Sequence, residues 1–168
     1  MMRLVALAIC AGLLLGAPAH AQPSEPGQSA PPAAPDYGLP INNEQAKAAA
    51  GAALAEAKKN NWRMAVTVVG PQGEMVYFEK MDGTQNASES LATAKARTSA
   101  LYRRPSKIFA DAYAAGNLAF TTFPERPVAS EGGIPIVVNG RIVGAIGVAG
   151  GTGQQDGVAA TAGATAVK

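Results

Sequence analysis

The stretch EGGIPIVVNGRIVGAIGVAGGTGQQD, residues 131–156, decides the fold. It holds two apolar β-rich runs, 134–138 and 142–148, around Asn139-Gly140. A two-residue Asn-Gly link favours positive φ at both positions and is the strongest short hairpin signal. Parallel strands would need a long crossover instead, so the neighbours are antiparallel. Pro135 has no N–H for a ladder, which places its strand at a sheet edge or at a bulge. Gly150-Gly151 then turns the chain, and Thr152 with Gln155 has the spacing of a capping box for a last, alanine-rich helix.

Upstream the same logic gives a second hairpin. Residues 64–69 are β-rich, Gly70-Pro71-Gln72-Gly73 is a turn, and Val76 and Phe78 alternate with Met75, Tyr77 and Glu79. Before it, Asn42 and Gln45 open a helix whose stripe is Ala46, Ala49, Ala50, Ala53, Leu54 and Ala57. Between the hairpins, Asn86 and Glu89 mark a helix start. An apolar line of Leu91, Ala94, Thr98, Leu101 and Tyr102 runs to a stop at Arg104, before Pro105. A short helix opened by Pro105 ends at Gly116. Residues 117–133 have no clean period and read as an ordered loop with one short strand at most. The expected class is α+β: an antiparallel sheet of four to five strands packed by helices, profilin-like or PAS/GAF-like.

The first 21 residues read as a secretory signal. Arg3 gives a basic start and residues 4–15 an apolar run. Ala19-His20-Ala21 gives a small-x-small cleavage site. The run falls short of the roughly 20 apolar residues of a membrane span, so an exported, periplasmic or secreted chain without a stable membrane anchor is expected. Residues 22–40, with Pro23, Pro26, Pro31, Pro32, Pro35 and Pro40, read as a mobile linker. Residues 41–168 then form one domain.

The only histidine, His20, and the only cysteine, Cys10, both fall inside that signal. The exported chain therefore lacks the usual general base, the usual metal ligand and the usual soft nucleophile. Histidine-based zinc sites, cysteine catalysis and disulfides are excluded for it. With 14 basic against 12 acidic residues, no basic stripe calls for a nucleic acid. The glycines after residue 149 fail as a dinucleotide fingerprint, because Asp156 stands where the third glycine belongs and a hairpin strand precedes them.

Candidate binding residues remain. Lys95, Arg97, Arg103 and Arg104 lie on the middle helix or at its end, where they either hold carboxylates of a ligand or make a solvated face. Gly132 and Gly133, paired before a strand, allow close backbone approach. The turn ending at Thr152 either aims N–H groups at an anion or serves only close packing. Tyr102, Tyr77 and Tyr113, with Met64, Met75 and Met81, are the side chains able to ligate iron. Glu79, Asp82, Glu125, Glu131 and Asp156 are the loose carboxylates.

The run from Glu131 resembles the signature of the GlcG/HbpS-like haem-binding family, which also forms the C-terminal domain of PduO adenosyltransferases. The matching positions are Gly132, Gly133, Pro135, Ile136, Gly140, 144–148, Gly150 and Asp156, with Ala149 where serine is usual. Met81-Asp82-Gly83, residues 94–98 and 103–106 extend the likeness across residues 41–168. The resemblance implies haem or tetrapyrrole binding, sensing or handling, and a homo-oligomer. The readings carried forward are an exported, non-catalytic haem-binding protein, a small carboxylate-binding module without iron, and an acid/base enzyme using Lys95 or a carboxylate.

Overall fold

The structure, a computed structural model, describes residues 33–168; the expected signal and most of the linker lie outside the described residues. Helix α1 (Asn43–Lys59) is followed by strands β1 (Ala65–Val69) and β2 (Met75–Lys80) and helices α2 (Ser88–Tyr102) and α3 (Lys107–Ala114). A 3-10 turn (Ala119–Thr122), strands β3 (Gly133–Val138) and β4 (Arg141–Ala149) and helix α4 (Gly153–Thr165) complete it. The strands form one sheet in the order β2-β1-β4-β3, every neighbouring pair antiparallel. This is the expected α+β architecture, with four strands.

Both hairpins form as read. Asn139 and Gly140 take φ of 50° and 74°, the double positive pair that a tight two-residue link favours. Pro135 sits in the edge strand β3. The capping boxes of Asn42 with Gln45 and of Thr152 with Gln155 are both made, and the predicted stripe of α1 is the buried one.

Side-chain size sorts the two faces of the sheet. Val66 and Val68 of β1, with Ile146 and Val148 of β4, face the core under α1 and α4. Their neighbours Ala65 and Val69, with Ala145 and Ala149, pack instead with Ala92, Ala96 and Ala100 of α2. Gly147 falls on this second face, and a Cβ there would collide with the Ala92 carbonyl and lie 2.5 Å from the Ala96 nitrogen. At Gly133 it would collide with the Lys95 carbonyl. Backbone therefore rests on backbone where α2 crosses β3 and β4.

That contact corrects the expected face of α2. Its buried residues are Ser88, Ala92, Lys95, Ala96, Thr98, Ser99 and Ala100. Leu91, Ala94, Leu101 and Tyr102, read from the sequence as its apolar line, are only half-buried. Only small side chains fit between the helix and a sheet this close. The helix ends are corrected too. The N-cap is Ala87, without a side-chain cap, because a turn closed by the Ser88 N–H on the Gln85 carbonyl already carries the chain past Asn86. The last helical residue is Tyr102, since Arg103 adopts φ 53°. Ser106, not Pro105, caps α3. Its hydroxyl is committed to the Ser130 carbonyl (2.6 Å) and the Gly133 N–H (2.9 Å), pinning the start of β3. The short strand allowed within 117–133 is a 3-10 turn instead. Phe120 in it packs edge-on against Phe109, which meets Tyr102 in the same way.

The domain also starts earlier than expected. β1 pairs β4 only as far as Ala145, leaving the backbone around Ile142 without a β1 partner. Asp36 and Gly38 take that place: the Ile142 N–H donates to the Asp36 carbonyl and the Gly38 N–H to the Ile142 carbonyl, both at 2.8 Å. The end of the stretch read as linker is thus a strap on the sheet. Among the described residues, no helix is long and apolar enough to cross a membrane.

The contact at Gly147 yields a direct test. Gly147→Ala should lower stability by roughly 1–3 kcal/mol through overpacking, and Gly147→Val by more. Urea unfolding of the two variants beside Gly51→Ala, where a Cβ meets nothing within 4 Å, measures the difference.

Candidate functional site

One expected binding residue and one of the loose carboxylates are withdrawn from the surface. Lys95 and Asp156 form an ion pair at 2.6 Å, with side chains only 1% and 3% exposed. The Lys95 ammonium also donates to the Val148 carbonyl at 3.1 Å, and the second Asp156 oxygen accepts from the Gly151 N–H at 2.9 Å. The pair joins α2, on one face of the sheet, to the first turn of α4 on the other. It passes Gly132, where a Cβ would lie 2.7 Å from both the Asp156 Cβ and the Val148 oxygen. Two desolvated charges are tolerable only with such mutual satisfaction. Lys95 thus has no face toward a substrate, which corrects its expected role as a ligand group or base. Gly132 and Gly133 serve the close packing around it. Thr152 spends its hydroxyl on the Gln155 N–H as the α4 cap.

The remaining candidates divide. Arg103 turns away, over the Tyr37 ring at 5.7 Å and 3.6 Å from Asp36, where it holds the strap. Arg104 donates to the Tyr102 carbonyl. Arg97 and Tyr102 are brought together on the outer face of α2. They line one hollow of about 110 Å³ with Ala94, Leu101, Val128 and Arg126. Sharing Ala94 and Arg97 with it, a second hollow of about 360 Å³ runs toward the helix start past Thr93, Ser90 and Asn86. At the other end Leu101 opens onto a third, of about 450 Å³, walled by Tyr37, Pro40 and Pro71. The outer face of α2 is therefore the floor of one shallow trough. Arg97 is held by the Gly73 carbonyl at 2.8 Å, and the Tyr102 hydroxyl donates to the Glu125 carbonyl. Arg126 was missed in the sequence. It comes from a loop without periodicity, folded back by the stacking of Phe123 on Tyr102.

The other possible iron ligands are placed less well. Met64 is fully buried, and the Met81 sulfur accepts from the Met64 N–H. Tyr77 donates to a Glu79 carboxylate oxygen at 2.9 Å; that bond, then slight burial and the Glu79 charge, raise its pKa and hold its proton. Tyr113 and Met75 are exposed away from the trough. Among the described residues no group of three or more histidine, cysteine or acidic side chains could hold a metal ion.

The description "haem degrading protein HbpS-like" matches residues 41–165. The chain belongs to the HbpS-like family. Within it, the HbpS-like domain is similar to the protein GlcG of Escherichia coli K12. The two are 37% identical over 108 residues, covering 64% of this chain and 80% of GlcG. A 15.0 kDa protein of Citrobacter freundii is 32% identical over 114 residues, 66% of this chain and 80% of that one. Among solved structures, HbpS of Streptomyces reticuli, as a double mutant, superposes with a TM-score of 0.71 at 28% identity, over 87% of this chain and 99% of HbpS. The PduOC–haem complex shares the fold, with a TM-score of 0.70 at 20% identity over 77% of this chain and 96% of PduOC.

Two outcomes check this geometry. Lys95→Met should cost about 3–5 kcal/mol by stranding a buried carboxylate, and adding Asp156→Leu should recover much of the loss; denaturant unfolding of the single and double variants measures both. Tyr77 should ionise only above the ordinary tyrosine value of 10.0. Its contact with Glu79 stabilises the fold below that value and is lost as pH rises through the raised one. Ultraviolet pH titration of Tyr77→Phe should lack a late-ionising phenol.

Proposed function

We propose that this HbpS-like chain is an exported, non-catalytic protein that binds haem or a closely related tetrapyrrole on the α2 trough. One observation carries the reading. A floor of small and apolar residues (Ser90, Thr93, Ala94, Leu101) lies beside two guanidiniums, Arg97 and Arg126, and one phenol, Tyr102, with Glu89 and Glu125 at its margins. A flat macrocycle needs a small-residue floor, and its carboxylate tails need arginine forks. The donor set fits such a ligand with an oxygen ligand or none, because no histidine or cysteine occurs in residues 33–168. The chemistry that a bound haem supplies is the iron's own. The chain would orient it: Arg97 and Arg126 would hold its carboxylates, Tyr102 would offer a phenol oxygen, and the apolar floor would exclude water. Family membership and the haem complex of PduOC support the ligand class. The residues before 22 support export. An open trough leaves the second face of the ring bare, which favours a homo-oligomer in which another copy covers it.

The test is a hemin titration of the tag-free chain from Gln22, following the Soret band and stoichiometry. Saturable binding is expected. Arg97→Gln should weaken it about tenfold, the share of one charge-assisted hydrogen bond. Tyr102→Phe should change the visible and spin-resonance spectra if the phenol ligates iron, while Tyr77→Phe should not. A bis-histidine spectrum from tag-free protein, or no binding at all, overturns the reading.

A further inference from the structure

A second cleft lies at the end of the sheet where three connections meet. They are the α1–β1 link with Asn61, Trp62 and Arg63, the β2–α2 link with Gly83, Thr84 and Gln85, and the glycine turn of Gly150 and Gly151 before α4. The cleft measures about 390 Å³ and shares no lining residue with the α2 trough. Volumes of about 300 Å³ and above are those of small-molecule sites.

Two of its polar side chains, those of Arg63 and Thr84, lack partners among the described residues, whereas Gln155 is committed to the α4 capping box. Arg63 is exposed and makes no hydrogen bond or ion pair among the described residues, although a guanidinium carries five donors. It lies against Gly83, where a Cβ would be 2.6 Å from an Arg63 nitrogen. Thr84 lines the cleft at 7% exposure, and its hydroxyl is buried without a partner, as is that of fully buried Ser88, the first residue of α2. A buried hydroxyl without a partner is destabilising and calls for an explanation. Asp156 is committed to Lys95 and Gly151, so it does not neutralise the cleft, and the exposed Asp82 beside Gly83 makes no ion pair with Arg63. The first turn of α4 adds the positive end of a helix. Trp62, half-buried and packed in part against the core, also lines the cleft.

We propose that this cleft binds a small organic carboxylate. Arg63 grips the carboxylate and Trp62 covers its carbon skeleton. The site is independent of tetrapyrrole binding and takes a different ligand class.

Trp62 is the only tryptophan of the chain, so its emission reports on the cleft. The tag-free chain from Gln22 is titrated into the millimolar range with succinate, benzoate and inorganic phosphate, against chloride at matched ionic strength. Calorimetry on the same samples covers a ligand that leaves the emission unchanged. Saturable binding of at least one carboxylate, absent with chloride, is expected. Arg63→Gln should weaken it roughly ten- to a hundredfold. Thr84→Val should leave it unchanged and melt no lower than the parent, because a methyl replaces a buried, unpartnered hydroxyl. Arg97→Gln should leave carboxylate binding unchanged and Arg63→Gln should leave hemin binding unchanged, which separates this site from the trough. Silence in both emission and heat, binding of phosphate alone, or carboxylate binding that survives Arg63→Gln overturns the proposal.

Discussion

Helix α2 lies on the sheet with no side chains to hold it off, and the rest of the domain is arranged around that contact. The alternation of small residues along β4, Ala145, Gly147 and Ala149, meets an equally small row on the helix, Ala92, Ala96 and Ala100. Val66, Val68, Ile146 and Val148 of the central strands lie on the opposite face, where α1 and α4 close the core. The approach also brings Lys95 level with the start of β3, close enough to reach Asp156 past Gly132. Because the inner face of α2 is taken up by alanine and serine, its larger apolar residues stay half-exposed on the outer side. The trough is thus a by-product of tight packing underneath.

A haem-family domain without histidine shifts attention from iron ligation to the recognition of the ligand's periphery. Arg97 and Arg126 are well suited to carboxylates, and the phenol of Tyr102 is the one candidate oxygen ligand carried by α2. At the far end of the sheet a separate cation, Arg63, stands over a cleft with its own aromatic wall. Both proposed sites present arginine side chains, yet they differ in shape. A long open floor suits a plate, and a small notch suits a compact acid.

Much of the fold was legible because it is written in local rules. Asn139-Gly140, the two capping boxes and the alanine stripe of α1 each depend on residues a few positions apart. What escaped depends on distance. A lysine between alanines reads as solvated, and only its partner 61 positions on makes it interior. The buried row of α2 was hidden because the eye follows leucine and tyrosine, whereas close approach selects alanine, serine and glycine. Part of the trough could be read from Arg97 and Tyr102, which share one helix. Arg126 and the cleft could not, since loops far apart in sequence bring their residues together.

The Lys95–Asp156 pair has a consequence for how the domain comes apart. It is anchored in α2 at one end and in α4 at the other, so it fastens two layers that otherwise meet only through the sheet. Peeling off either helix alone would strand a charge in an apolar interior, a state disfavoured by several kcal/mol. Partial opening is therefore suppressed, and the two layers belong to a single cooperative unit that exchanges its protected amides together.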